Sequence, residues 1–177
     1  MTASLRSLRR RPRRCPAFSL VEALVAIVTV GVVVVAALAA AGGAKAGFEH
    51  LQDRARADLL AAQLLAEILP LPYADPDGGG SLGPDPGEVA TPDRLTLDDV
   101  DDYSGLADDP PRGRDGVAIS GFSGWRRVVT VAWLDRGSPE VRVFTESGIK
   151  RVTVAVMKSG QTLATHVALR SAREDTP

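Results

Sequence analysis

Ala23 to Ala44 is a run of 22 residues without a charge, and a single carboxylate, Glu22, stands at its mouth. About 20 apolar residues in a helix cross a bilayer. In lipid the backbone has no water to bond, so a spanning segment must satisfy its amides internally, which forces a helix even through the β-branched Val25 to Val35. A charge at the centre of such a helix costs roughly 2.5 to 3.5 kcal/mol, less near an interface, and marks a functional position by default. Upstream, Met1 to Ala17 carries Arg6, Arg9, Arg10, Arg11, Arg13 and Arg14 and no acid. That asymmetry keeps the N-terminal end in the cytoplasm and exports the rest.

The residues Ala17-Phe18-Ser19-Leu20-Val21-Glu22, ahead of an apolar helix and behind a basic leader, resemble the leader and first helix of type IV pilins and pseudopilins. The resemblance implies cleavage between Ala17 and Phe18 by a prepilin peptidase, methylation of the new amino group of Phe18, and an assembly salt bridge from Glu22 to the amino terminus of an adjacent subunit. Ala17 departs from the glycine usual before the cut, adding one methyl to a small residue. The partners it implies are that peptidase, other pilin or pseudopilin subunits and the inner membrane. An ordinary secretory signal, cut after Ala37-Leu38-Ala39, is the competing leader; its apolar core is about 7 to 15 residues, shorter than this run. A plain anchor bearing an exported sensor or adhesin-like domain would keep its leader intact.

Removing the leader's six Arg from the 21 basic residues leaves 15 against 22 acids, a formal charge of −7. Such a chain offers no clustered cations for nucleic acid. Cys15, the only cysteine, lies in the leader, so the processed chain can form no internal disulfide. Catalysis needs a convergent nucleophile, base and orienting group. With two distant histidines, His50 and His166, and no phosphate loop, H-E-x-x-H or G-x-S-x-G, neither an enzyme nor a cofactor is expected.

The chain divides into the leader (1–17), a long helix (18–69, spanning at 23–44 and amphipathic at 45–69), a Pro/Gly/Asp-rich region (70–116) and an antiparallel sheet (117–177). No proline interrupts Phe18 to Leu69, a helix of about 78 Å at 1.5 Å per residue. Gly42, Gly43 and Gly47 are its weak points. Phe48, Leu51, Ala55, Leu59, Ala62, Leu65 and Leu69 recur at helical spacing and predict the face that packs on the sheet, with Leu60, Leu64 and Ile68 widening it. Pro70 and Pro72 end the helix.

Strands are predicted at Trp125 to Leu134, Glu140 to Thr145, Ile149 to Met157 and Thr162 to Arg170. Lys158-Ser159-Gly160-Gln161 joins the last two as a tight hairpin. One face of the last strand is expected buried and the other solvated, with His50 and His166 at the surface. Trp125 and Trp133 are expected in the core beneath the helix. The architecture is α+β and pilin-like, a helix covering one sheet face. Asp98, Asp99, Asp101 and Asp102 are weak candidates for Ca²⁺, which takes six to eight oxygens, but such a run reads first as a solvated loop. Together with Gly121 to Leu134 and Gly148 to Val154, this segment resembles minor pilins of the PilV and mannose-sensitive-haemagglutinin type.

Overall fold

The computed structural model describes residues 19–76, 78, 81–88 and 93–175. One helix, α1 (Leu20–Ile68), precedes a four-stranded antiparallel sheet of β1 (Ala107–Asp108), β2 (Trp125–Trp133), β3 (Ile149–Lys158) and β4 (Gln161–Ser171), ordered β1-β2-β3-β4. Helix then sheet is the α+β layout expected of the sequence. The chain forms two units, Met1–Gly47 and Phe48–Pro177. In the first, the described residues form the N-terminal part of α1, and every side chain described there is exposed. Its most apolar window has a mean hydropathy of 2.8, long and apolar enough to cross a membrane. The helical backbone continues unbroken through Gly42, Gly43 and Gly47.

The second unit holds the core. α1 stops at Ile68, two residues before Pro70, whose ring constrains the residue ahead of it. Its buried residues are Ala57, Leu60, Ala61, Leu64, Leu65 and Ile68, packed with Val129 and Val131 of β2 and Val152, Val154 and Val156 of β3. The residues read as widening the apolar stripe are therefore its centre. Phe48, Leu51 and Leu59, read as core, are 67%, 63% and 71% exposed, and Ala55 and Ala62 are exposed as well. At about 100° per residue, the exposed and buried sets lie roughly half a turn apart, so the sequence had merged two stripes into one.

Antiparallel pairing places rows of side chains on the inner face: Arg127–Val156–Ala164, Val129–Val154–His166, Val131–Val152–Ala168 and Trp133–Lys150–Arg170. The middle rows are apolar except for His166, and the outer rows carry cations. β4 reverses the polarity expected from its leucines: Ala164 and Arg170 are buried, whereas Val167 and Leu169 are 56% and 54% exposed. Small residues fit beneath the helix where leucine would not. At the β3–β4 turn, Ser159 and Gly160 both have positive φ, 50° and 82°, as a two-residue hairpin matching strand twist requires.

Glu140 to Thr145 is not a strand. A bridge from Leu134 to Arg142 is its only pairing among the described residues, and Val141 and Phe144 find no core, at 53% and 87% exposed. Asp135 closes the preceding turn by accepting from the amides of Gly137 and Ser138. β1, too short for any periodicity, adds an edge through Ala107–Val128 and Asp108–Arg127.

Candidate functional site

Ala17 and Phe18 lie outside the described residues; Glu22 lies in the first turn of α1. Ser19 caps the helix through its carbonyl, which accepts from the amide of Ala23 at 3.0 Å. Ser19 and Glu22 stand at capping-box spacing, yet neither side chain makes a hydrogen bond among the described residues, and Glu22 has no ion-pair partner there. An acid in the first turn gains about 0.3 to 1 kcal/mol from the helix dipole. That gain and the acid's place at the mouth of the apolar run are all that the helix itself offers Glu22.

The exposed stripe on Phe48 to Ala62 has no occupant among the described residues of its own unit. Asp53 and Asp58, on the flanks of that helix, instead reach the sheet. Lys158 bonds Asp53, and His166 Nε2 lies 3.1 Å from Asp58 Oδ1. His166 is thus on the inner face and partnered, not on a solvent-facing position; His50 is exposed as expected.

At the C-terminal end of α1 the unit buries a charge network. Arg94, 1% exposed, grips Glu67 with Nε at 2.8 Å and a second guanidinium nitrogen at 3.0 Å, and the hydroxyl of Tyr103 donates to the same carboxylate at 2.9 Å. Arg94 also reaches Asp108 at 3.4 Å, and Arg127 of β2 pairs with Asp108. Burial alone would lower the Arg94 pKa, but the Glu67 pairing outweighs it and raises it. The Tyr103 hydroxyl is raised by burial and then by the Glu67 charge. At the opposite end of the sheet Lys150 bonds Asp101 and the Tyr73 carbonyl, while the Tyr73 hydroxyl donates to Glu146.

The acidic run is therefore not a solvated loop. Asp99, Asp101, Asp102 and Asp108 are all buried: the carboxylates of Asp99 and Asp102 are taken up by local amides, and those of Asp101 and Asp108 by Lys150 and by Arg94 and Arg127. Asp99 accepts from the amides of Asp101 and Asp102, and Asp102 from those of Asp98 and Asp99, folding the segment into a 3-10 turn at Asp101–Tyr103. Burial, then the Asp101 charge, pushes the Asp99 carboxyl up to about 7. Of the four calcium candidates, the structure brings Asp98 and Asp102 together with Glu88, their carboxylate oxygens within 4.8 Å of one another. Asp99 is turned to the backbone and Asp101 to Lys150, so the four do not form one cluster. Trp125 is in the core under α1, edge-on to Phe122 at 5.3 Å between ring centres. Trp133 is buried elsewhere, lining a cleft of about 570 Å³ with Tyr73, Asp101, Glu146 and Lys150.

Glu67, Arg94 and Arg127 escaped the sequence reading, and Asp108 stood out only as one acid of the run. Arg127 left a trace: it shares the odd-numbered face of β2 with Trp125, Val129 and Val131, where an unpaired guanidinium would be costly. No protein-family model, curated protein or solved structure matches the chain. What fold and site define is a protein with one helix long and apolar enough for a membrane, continued into an α+β unit, an arrangement consistent with pilin-like architecture.

Proposed function

We propose that the chain is a minor pilin or pseudopilin, cut between Ala17 and Phe18 by a prepilin peptidase, methylated at Phe18, and incorporated into or priming a type IV pilus or type II secretion pseudopilus. Before assembly it is held in the inner membrane by the first part of α1, with its C-terminal unit exported. The PilV- and mannose-sensitive-haemagglutinin-type minor pilins are the subfamily its later segments resemble.

The observation that carries this reading is that α1 offers a second apolar stripe, away from its own sheet, with no occupant among the described residues of its own unit. Burying one Leu or Phe side chain is worth about 1.5 to 3 kcal/mol, so Phe48, Leu51 and Leu59 together reward a partner helix. A sister subunit supplies such a helix, and its free amino terminus supplies the counter-ion that Glu22 lacks. Extracting a lone carboxylate from the membrane region into an apolar filament core is costly, whereas pairing it offsets much of that cost and fixes the stagger between neighbours.

Mass spectrometry of the N-terminus of the chain purified from its native membranes tests this reading. A chain beginning at methylated Phe18 is expected. A chain beginning at Met1 or Thr2 contradicts it and supports a membrane anchor with an exported sensor or adhesin-like domain.

A further inference from the structure

The cleft of about 570 Å³ at the Trp133 end of the sheet has the size of a small-molecule site and takes no part in the filament contacts proposed above. Most of its polar lining is already committed. Tyr73 and Lys150 are 4% and 2% exposed, and the Lys150 ammonium sits 4.3 Å from the centre of the Tyr73 ring while bonding Asp101. The Tyr73 hydroxyl donates to Glu146, which also accepts from the Gly148 amide. These groups answer one another.

Arg136 differs from them. It stands exposed at the rim, on the turn that Asp135 closes. Its Nε donates to the Ser147 carbonyl, which orients the guanidinium, and no carboxylate pairs with it among the described residues. The guanidinium lies against Gly148, where a side chain at that position would begin; Gly148 is buried with φ 80°, a conformation and a space that suit glycine. With Nε spent, the two terminal nitrogens form a planar fork that matches a carboxylate. In the wall, Nε1 of Trp133 is likewise a donor with no acceptor among the described residues. The cleft is thus short of acceptors, not of donors.

The lining also limits the charge of what it can hold. Asp75, Asp101 and Glu146 outnumber Arg136 and Lys150, so a phosphate dianion is disfavoured against a single carboxylate. The Tyr73 and Trp133 rings, with Ala74 and Ala172, give the rest of the cleft an apolar surface. We propose that this cleft binds an organic monocarboxylate with a flat apolar body, its carboxylate in the Arg136 fork and its body along Tyr73 and Trp133. The site lies wholly in the second unit, so it stands whether the chain enters a filament or remains a membrane anchor.

The test is calorimetric titration of the full chain in lipid nanodiscs, with empty nanodiscs subtracted, using phenylpropionate, its neutral amide and phenyl phosphate. Phenylpropionate is expected to bind, and the two controls to bind about tenfold or more weakly, as loss of charge-assisted hydrogen bonds requires. A short peptide ending in phenylalanine separates two sources of the carboxylate: tighter binding than phenylpropionate assigns the site to a chain end, weaker binding to a free acid. Arg136→Gln should weaken phenylpropionate by about tenfold or more, and Arg136→Lys by less, since it keeps the charge without the fork. Ala74→Trp, at an exposed position on the wall, should abolish binding by filling the cleft while leaving Arg136 and its turn untouched, with a thermal midpoint like the parent's. No binding by the parent, equal or tighter binding of either control, or parental binding by both Arg136→Gln and Ala74→Trp would overturn the assignment.

Discussion

Glu22 and Asp108 are both carboxylates in apolar surroundings, and the chain treats them in opposite ways. In the second unit Asp108 is 5% exposed and meets Arg94, Arg127 and the amide of Arg112. At the start of α1, Glu22 meets nothing among the described residues, and the side chains around it point outward without a neighbour. On the filament reading proposed above, Glu22 and the exposed apolar stripe of α1 take their partners from a sister chain.

The largest effect separating the regions is expected at Asp108. Asp108→Ala leaves Arg127 buried without its carboxylate, while Arg94 keeps Glu67, and breaking a buried pair costs about 3 to 5 kcal/mol. Denaturant unfolding of the full chain in detergent, followed by tryptophan fluorescence, should show this as a loss of cooperative folding or a large fall in midpoint. A change under about 1 kcal/mol would mean the network is not a structural tie.

Next in size is a paired substitution on the two stripes of α1. Leu64→Ala, at a fully buried position, should destabilise by about 2 to 5 kcal/mol. Leu59→Ala, 71% exposed, should stay within about 0.5 kcal/mol in the monomer yet lower recovery in the filament fraction. Equal destabilisation by both would erase the distinction between an inner and an outer stripe.

The smallest effect concerns Asp99. Its folded pKa of about 7 lies above the ordinary 3.8, so the folded state holds the proton more tightly. Between those values the folded state binds more protons than the unfolded, so stability falls as pH rises from about 4 to 7 and is level above. Asp99→Asn keeps the oxygen that accepts from Asp101 and Asp102 while removing the ionisation. It should match the parent near pH 4 and exceed it at pH 8. Parallel profiles for parent and variant would show that Asp99 does not titrate in this window.

The same comparison explains what the sequence could convey. Membrane length, the helix stop before Pro70, three of the four strands and the Ser159-Gly160 turn were legible because each follows from local composition, spacing or backbone chemistry. Which stripe of α1 faced the sheet was not, since Phe48–Leu51–Leu59 and Leu60–Leu64–Ile68 are equally regular and only the sheet decides between them. β4 misled for a related reason: Val167 and Leu169 suggested a buried face, but the space under the helix admits Ala164 and Ala168. The acidic run concealed long-range pairing, because Asp101–Lys150 and Asp108–Arg127 join residues 49 and 19 positions apart. Glu22 was the reverse case, conspicuous in sequence as a lone charge beside an apolar run and unanswered among the described residues.

The most direct measurement is the recovery of Glu22→Ala in sheared filaments relative to its level in the membrane, with the parent chain assayed alongside. The account predicts membrane levels equal to or above the parent and a filament fraction lowered by about tenfold or more, the equivalent of at least 1.4 kcal/mol of lost pairing. Parental recovery of Glu22→Ala in filaments would contradict it.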